Sequence, residues 1–157
     1  METISGKATG LKDRKPKNIF MSGPIPAGFI ADSIQKHSSQ TGIGGHSIFL
    51  GQVRADQLNG KQVTAIEYTA YEDMALEKMH LIREEIFLKY PLTCMHVHHS
   101  LGRVTTGAIC LFVFTSSAHR KPAMDACQEL VERIKNELPI WGREIFDDES
   151  FQWKENQ

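Results

Sequence analysis

Apolar residues recur at helical spacing in the second half of the chain. A stripe follows the i, i+4, i+7, i+11 positions of an amphipathic helix and consists of Ala123, Cys127, Leu130 and Ile134. Pro122 suits the first turn of this helix, because its missing N–H has no helical partner there. Pro139 ends the helix, because the residue before a proline is pushed out of the α region.

Two further segments have helical patterns. A long helix over about 70–90 ends before Pro91, and its apolar positions are Ala75, Met79, Ile82, Ile86 and Tyr90. A shorter helix begins at Pro26 and ends within 37–41. We expect it to turn Phe29, Ile30 and Ile34 towards the core.

The segments between the helices have the character of strands. We expect a short edge strand at 18–21 and strands at 46–53, 62–68, 93–101 and 107–115. Asn59-Gly60 is a type I′ turn signal, so residues 46–54 and 62–68 are predicted to form a hairpin. The nearly continuous apolar run 107–115 indicates an interior strand. This order predicts an α+β domain with helices covering a mainly antiparallel sheet.

Composition narrows the class of protein. The 157 residues are 41% hydrophobic and 24% charged, with a net charge of −1, which argues against disorder and against wholesale nucleic-acid binding. No run approaches the roughly 18 apolar residues of a membrane helix, and the N-terminus has no signal-type apolar block. The three cysteines are odd in number and have no C-x-x-C spacing, which favours reduced thiols in a cytoplasm.

The two ends of the chain differ from its middle. We expect a flexible, basic extension at 1–17, one domain at 18–146, and an acidic tail at 147–157. The alternative for the extension is a phosphate-binding arm. The aromatic residues of the tail, Phe151 and Trp153, dock either on the domain or on a partner.

Lys135, in the last turn of the helix after Pro122, has two interpretations. A lysine at a helix C-terminus is stabilised by the helix dipole and is usually solvated. Packed against Ile140 and Trp141, however, its amine loses water and acquires a lowered pKa, as in catalytic lysines.

Other cations stand near element ends. His119 and Arg120 open the same helix, where unpaired N–H groups attract anions, whereas Arg54 ends a strand and Arg143 follows Lys135. Arginine binds phosphate in a bidentate manner, and a desolvated lysine can transfer protons or attack a carbonyl. Together with Lys135, these cations therefore indicate a site where a phosphorylated substrate meets a second anionic or acyl group.

Three other motifs give weaker signals. The glycines of 42–45 lack the Lys-Ser/Thr of a P-loop and precede a strand. His96 and His98 share one strand face, but no cysteine or acidic residue is obviously placed to complete a zinc site, so we expect structural or solvated histidines. Chain order alone makes no case for a Ser-His-Asp triad.

Several motifs resemble the large, catalytic subunit of molybdopterin synthase. They are A-H-R-K-x-A at 118–123, I-K-N-E-L-P-I-W at 134–141, F-L-G-Q-V-R at 49–54 and A-I-E-Y-T-A-Y-E-D-M-A at 65–75, with a weaker match at 97–107. Together they cover roughly 43–146. A match in several parts, in order and spacing, is more specific than one short motif.

The resemblance implies an α/β hammerhead fold and an enzyme without metal or cofactor. The family converts cyclic pyranopterin monophosphate (precursor Z) into molybdopterin. Sulfur comes from the thiocarboxylated Gly-Gly end of a small ubiquitin-like subunit, and the assembly is a heterotetramer built on a homodimer of large subunits.

By motif, Lys135 is the principal catalytic residue and Arg54 a second active-site cation. His119 and Arg120 hold the pterin phosphate across the dimer interface. The implied substrate-binding set is Gln52, Val53, Arg54, His119, Arg120, Lys135, Gly142, Arg143 and Glu144.

Gly142 departs from the family pattern, which has an active-site lysine at this position. We expect Arg143 to supply the missing charge and a Gly142→Lys change to preserve or raise activity. Two rival hypotheses are a non-catalytic relative that keeps the carrier-binding scaffold and an unrelated small phosphate-binding transferase.

Overall fold

The computed structural model describes residues 16–155, which form three helices and eight strands. The helices are α1 (Ala27–Lys36), α2 (Glu72–Lys89) and α3 (Arg120–Glu137). The strands are β1 (Phe20–Ser22), β2 (Gly45–Gln52), β3 (Gln57–Leu58), β4 (Lys61–Ala70), β5 (Cys94–Thr105), β6 (Ile109–Ser117), β7 (Ile140–Phe146) and β8 (Phe151–Trp153). The predicted α+β class is confirmed.

The long strand β5 joins two halves of one sheet, in the order β2-β6-β5-β4-β7-β8. Its first half pairs antiparallel with β6, and residues from Gly102 onward pair antiparallel with β4. Gly102 has φ +84°, a conformation that L-residues with a side chain rarely adopt, so glycine permits the change of partner. β1 adds to β5 as the parallel strand, and β3 extends β4.

The sheet is covered on both faces at β6, which explains its unbroken apolar run. On one face Leu111 and Val113 pack with the buried stripes of α2 and α3. On the other face Phe112 and Phe114 pack with Ile30 of α1. The predicted interior position of this strand and the predicted stripes of the two long helices are thus confirmed.

The predicted hairpin between 46–54 and 62–68 is wrong. The Asn59-Gly60 turn does form, with φ values of 53° and 75°, but it joins only β3 to β4. β2 instead pairs antiparallel with β6, a strand far along the chain. The turn signal was correct, whereas the strand assigned to its other side was not.

Smaller corrections concern α1 and the C-terminal region. Ile34 is 42% exposed, so the apolar face of α1 is shorter than predicted and rests on Ile30. Residues 140–146, not predicted as a strand, form β7, and the tail adds β8 beside it. The proposed extension at 1–17 lies almost wholly outside the described residues. Within 16–155, none of the helices is both long and apolar enough to cross a membrane.

Candidate functional site

The C-terminal end of α3 meets β7 and the end of β8 around Lys135. The Lys135 side chain is half-buried and lines a narrow pocket of about 50 Å³ together with Ile140, Trp141 and Lys154. The two apolar neighbours expected from the sequence therefore lie beside the amine. Of the two interpretations, the structure supports the desolvated lysine.

Burial lowers the pKa of Lys135 from its ordinary value. The positive charge of Lys154 lowers this pKa further, and Cys110 acts in the opposite direction. A larger fraction of neutral amine is consequently present near neutral pH than in a solvated lysine. Such an amine can accept a proton or act as a nucleophile.

A wider cleft of about 480 Å³ adjoins this pocket. Its lining includes three cations, Arg54, Lys135 and Lys154. The structure therefore brings Arg54 and Lys135 to one cleft, as the sequence predicted, although they are far apart in the chain. The cleft also has four acidic side chains, which are Asp56, Glu132, Glu144 and Glu155.

Arg54 is exposed, and its ion pair with Asp56 is weak. Its side chain is 74% accessible, and its guanidinium lies 3.3 Å from the carboxylate of Asp56. An exposed pair of this kind contributes roughly 0–1 kcal/mol, so a substrate anion can compete for the guanidinium.

Tyr68 and His99 line the narrow pocket, and the sequence analysis assigned them no role. Their rings meet edge to face with centroids 5.1 Å apart. Burial lowers the pKa of His99 to about 4, with Lys135 lowering it and the Ser100 carbonyl raising it. Because of this low pKa the ring is neutral, and the His99 Nδ1–H donates to that carbonyl over 2.7 Å, so the lone pair lies on Nε2.

Burial also raises the pKa of Tyr68, and Cys110 and Glu144 raise it further, so the phenol stays protonated. The sequence does contain a feature that could have identified Tyr68 as a pocket residue. Tyr68 lies in one of the family-like motifs, and the β4–β7 pairing places it opposite Gly142.

Gly142 packs directly on β4. A Cβ at this position would lie 2.9 Å from Cγ2 of Ile66 and 3.1 Å from Cε1 of Tyr68. The carbonyl of Gly142 accepts a hydrogen bond of 2.8 Å from the N–H of Lys154, which fixes the end of β8 beside the pocket. Lys154 thus brings a cation to the region where the family pattern has a lysine at position 142.

The packing around Gly142 argues against the expectation that Gly142→Lys preserves or raises activity. We now expect the change to destabilise the fold by about 1–3 kcal/mol, because overpacking a closed strand contact displaces Ile66 or Tyr68. Chemical denaturation measures this free energy of unfolding. Gly28→Lys, where a Cβ meets no atom within 4 Å, is the control for adding a lysine. Equal stability of the wild type and Gly142→Lys would contradict the packing argument.

Arg143 does not enter the cleft, which corrects its predicted role. Arg143 is directly opposite Glu67 in the β4–β7 pairing, whereas Gly142 is opposite Tyr68, so the two residues lie on different faces. The guanidinium of Arg143 binds the Glu67 carboxylate at 2.7 Å and lies 4.5 Å from the ring centroid of Phe151.

Three other predicted binding residues have different environments. Val53 is 1% exposed, and its N–H and C=O bond to the backbone of Ala108 and Gly107, so it is a core residue rather than a substrate contact. Gln52 is exposed at the end of β2, beside a bulge. Glu144 is buried and lines the wide cleft.

His119 and Arg120 lie at the opposite end of α3 from Lys135. Both are exposed, and the helix rise separates Arg120 from Lys135 by roughly 22 Å along the axis. Ser117 accepts a hydrogen bond from the N–H of Ala123 and so caps the first turn. Within one chain the two ends of α3 therefore cannot form a single site.

Comparisons with known proteins identify the family of this chain. A family model described as "MoaE protein" matches residues 26–137. The molybdopterin synthase catalytic subunit of Drosophila willistoni is 37% identical over 118 residues, which are 74% of this chain and 32% of that protein. The corresponding protein of Pyrococcus abyssi is 36% identical over 113 residues, 72% of this chain and 76% of that protein. The chain thus spans about a third of the first relative and about three quarters of the second.

Solved structures share the fold. Molybdopterin synthase from Staphylococcus aureus matches with a TM-score of 0.76 and 30% identity, over 90% of this chain and 99% of that one. This match confirms the predicted hammerhead-type fold. A complex of subunits 1 and 2 of molybdopterin-converting factor from Helicobacter pylori matches with a TM-score of 0.74 over 88% and 90% of the chains, and its 17% identity supports the fold alone. The family match over most of the chain, with relatives above 30% identity, shows that this chain belongs to the MoaE family.

Proposed function

We propose that this chain is the catalytic subunit of a molybdopterin synthase. It transfers sulfur from the thiocarboxylated C-terminus of a small ubiquitin-like carrier to cyclic pyranopterin monophosphate, which forms the dithiolene of molybdopterin. The observation that carries the proposal is the desolvated amine of Lys135, which shares a cleft with Arg54 although the two residues are 81 positions apart.

The narrow pocket suits the end of the carrier. It is bounded by Trp141, Ile140 and Tyr68, and Gly142 contributes no side chain to its wall. A Gly-Gly terminus has no side chains either, so an extended backbone can enter a space that a bulkier terminus would not fit. The thiocarboxylate is an anion, and Lys135 and Lys154 lie where it would end.

Lys135 is assigned the proton transfers that accompany sulfur transfer. The neutral amine of Lys135 accepts a proton during sulfur transfer. The resulting ammonium then stabilises the negative charge that develops in the narrow pocket. Neutral His99 and the protonated Tyr68 hydroxyl border this position and orient the reacting groups without adding charge.

The pterin phosphate requires more cations than one chain provides. Arg54 faces the wide cleft, but the four carboxylates there offset the three cations. We assign the phosphate to His119 and Arg120 of a second copy of this chain, since these residues cannot reach Lys135 within one chain. The homodimer is therefore part of the proposed active enzyme. The Helicobacter pylori structure, a complex of subunits 1 and 2, is a precedent at the level of the fold for a second subunit bound to this one.

A single-turnover reaction tests the function. Purified chain, thiocarboxylated carrier and precursor Z are mixed, and molybdopterin is measured as its fluorescent oxidation product. We expect product with the thiocarboxylated carrier and none with the unmodified carboxylate form. A chain that binds the carrier but forms no product would be a scaffold relative, and a chain that binds no carrier would refute the family role.

The edge strand β2 supports the dimer. It ends the sheet, and its side chains Ile48, Phe49 and Leu50 are 37%, 36% and 42% exposed in one chain. A strand edge with adjacent apolar side chains is typical of an interface with another chain.

We expect Leu50→Lys to shift the protein from dimer to monomer in light scattering after gel filtration. The buried charge would find no partner in a covered edge. Leu88→Lys, at an 89% exposed position of α2, should leave the mass unchanged. A monomeric wild type, or an unchanged dimer of Leu50→Lys, would contradict this interface.

A further inference from the structure

A second group of reactive side chains lies away from the cleft, where α1 ends against β5. His37 follows the last residue of α1, and Cys94 and His96 stand two residues apart on β5. One ligand atom from each residue lies within 4.8 Å of the other two. His37 is far along the chain from the other two residues, so only the fold brings the cluster together.

The cluster and the catalytic cleft occupy different faces of β5. Alternation along the strand places Cys94 and His96 on the face covered by α1, together with Phe114 of β6. His99, three residues after His96, points to the other face and borders Lys135. A role in the sulfur-transfer site therefore does not explain the cluster.

The orientation of His37 is that of a metal ligand. Its Nδ1–H donates to the Ser33 carbonyl over 2.7 Å, which fixes the tautomer and leaves the Nε2 lone pair directed away from the helix. This Nε2 lies 3.0 Å from Nε2 of His96 and accepts a hydrogen bond from the His96 N–H, a contact that a bound metal ion would replace. Two imidazole nitrogens on one tetrahedral zinc ion are separated by roughly 3.3 Å, which follows from Zn–N distances of about 2.0–2.1 Å.

The surroundings hold the donors in place and leave the site accessible. The His37 ring is buried beside Phe114, with centroids 4.9 Å apart. Cys94 and His96 are only partly buried, which leaves a path for an ion to enter.

We propose that His37, Cys94 and His96 bind a zinc ion, with the fourth tetrahedral position open to water. One thiolate and two imidazoles form a donor set typical of Zn²⁺. The ion would join the C-terminal end of α1 to the sheet and so stabilise the face of β5 opposite the catalytic cleft. The sequence-based expectation of no metal site overlooked Cys94, which lies two residues before His96 on the same strand face.

Cobalt titration of the tag-free chain, after treatment with a chelator, tests the site. We expect one Co²⁺ per chain, with tetrahedral d–d bands and a thiolate-to-cobalt charge-transfer band, all displaced by Zn²⁺. Zinc at about a hundred times its Kd should raise Tm by roughly 5–10 °C.

Variants assign the ligands. Cys94→Ser is nearly isosteric and should remove the charge-transfer band, and His96→Gln should weaken binding by at least about tenfold. His80→Gln, a histidine on α2 outside the cluster, should bind Co²⁺ as the wild type does. No binding by the wild type, or an unchanged band in folded Cys94→Ser, would overturn the proposal.

Discussion

Replacing Lys135 by alanine is expected to slow single-turnover sulfur transfer by about 100- to 10,000-fold, the range contributed by one general acid–base group. The amine is half-buried, its pKa is lowered mainly by burial, and it lines both the narrow pocket and the wide cleft. Alanine removes the group that, in the proposed reaction, accepts and returns the proton. Molybdopterin formed per turnover measures the loss, and circular dichroism checks that the fold is kept.

Two comparison variants separate chemistry from charge. Lys121→Ala removes a lysine that is 84% exposed in the same helix and paired with Asp125, so its turnover should equal that of the wild type. Lys135→Arg keeps the positive charge, but arginine does not become neutral near physiological pH, so this variant should also be inactive. Near-normal turnover of Lys135→Ala would refute the assignment, and full activity of Lys135→Arg would reduce its role to electrostatics.

The helices of this fold were predictable because their signals are local. The stripe of α3 and that of α2 repeat within a few residues, and Pro139 and Pro91 mark where the helices end. The same holds for the apolar run of β6. The position of each of these elements follows from the spacing of its apolar residues and, for the helices, from the proline that ends it. Both features can be read from the sequence of the element alone.

The pairing of the strands was harder to predict from the sequence, because each strand's partner can lie far along the chain. The Asn59-Gly60 turn is correct, yet it joins β4 to the two-residue strand β3, and β2 pairs with β6 instead. A hairpin turn fixes the register only of the residues beside it. The partner of a longer strand is decided by contacts between residues far apart in the chain, which a local turn signal does not report.

In the candidate site, too, the residues within local motifs were predictable, whereas those placed by strand pairing were not. Lys135 and Arg54 were predicted by motif and do share the cleft, but the sequence did not indicate on which face of β7 its residues lie. Once β7 is a strand, the register assigns Gly142 to the pocket and Arg143 to Glu67. Lys154 was not singled out at all, because β8 brings it to the pocket through a backbone hydrogen bond with Gly142.

Removing Lys154 is expected to slow sulfur transfer by about 10- to 100-fold. A fixed donor in a closed site is worth roughly 100- to 1000-fold, and the smaller effect here follows from the exposure of Lys154. Its side chain lines the same two cavities as Lys135 and occupies the region where a lysine at position 142 would clash with Tyr68. Lys154→Ala therefore tests whether the end of β8 replaces the missing family lysine.

The pH dependence gives this test a second measurement. The charge of Lys154 lowers the pKa of Lys135, so Lys154→Ala should raise that pKa. The reactive amine is neutral above its pKa, and the rising limb of the pH–rate profile should consequently move to higher pH in Lys154→Ala. Lys154→Arg retains the charge and should leave the limb in place.

Arg54→Ala completes the comparison. The pKa shift of Lys135 comes from burial, Cys110 and Lys154, so loss of Arg54 should lower the rate without moving the limb. If Lys154→Ala and Arg54→Ala both lower the rate at every pH by the same factor, Lys154 acts only in binding. A displaced limb in Lys154→Ala alone would mean that a residue from the end of the last strand sets the protonation of the catalytic amine.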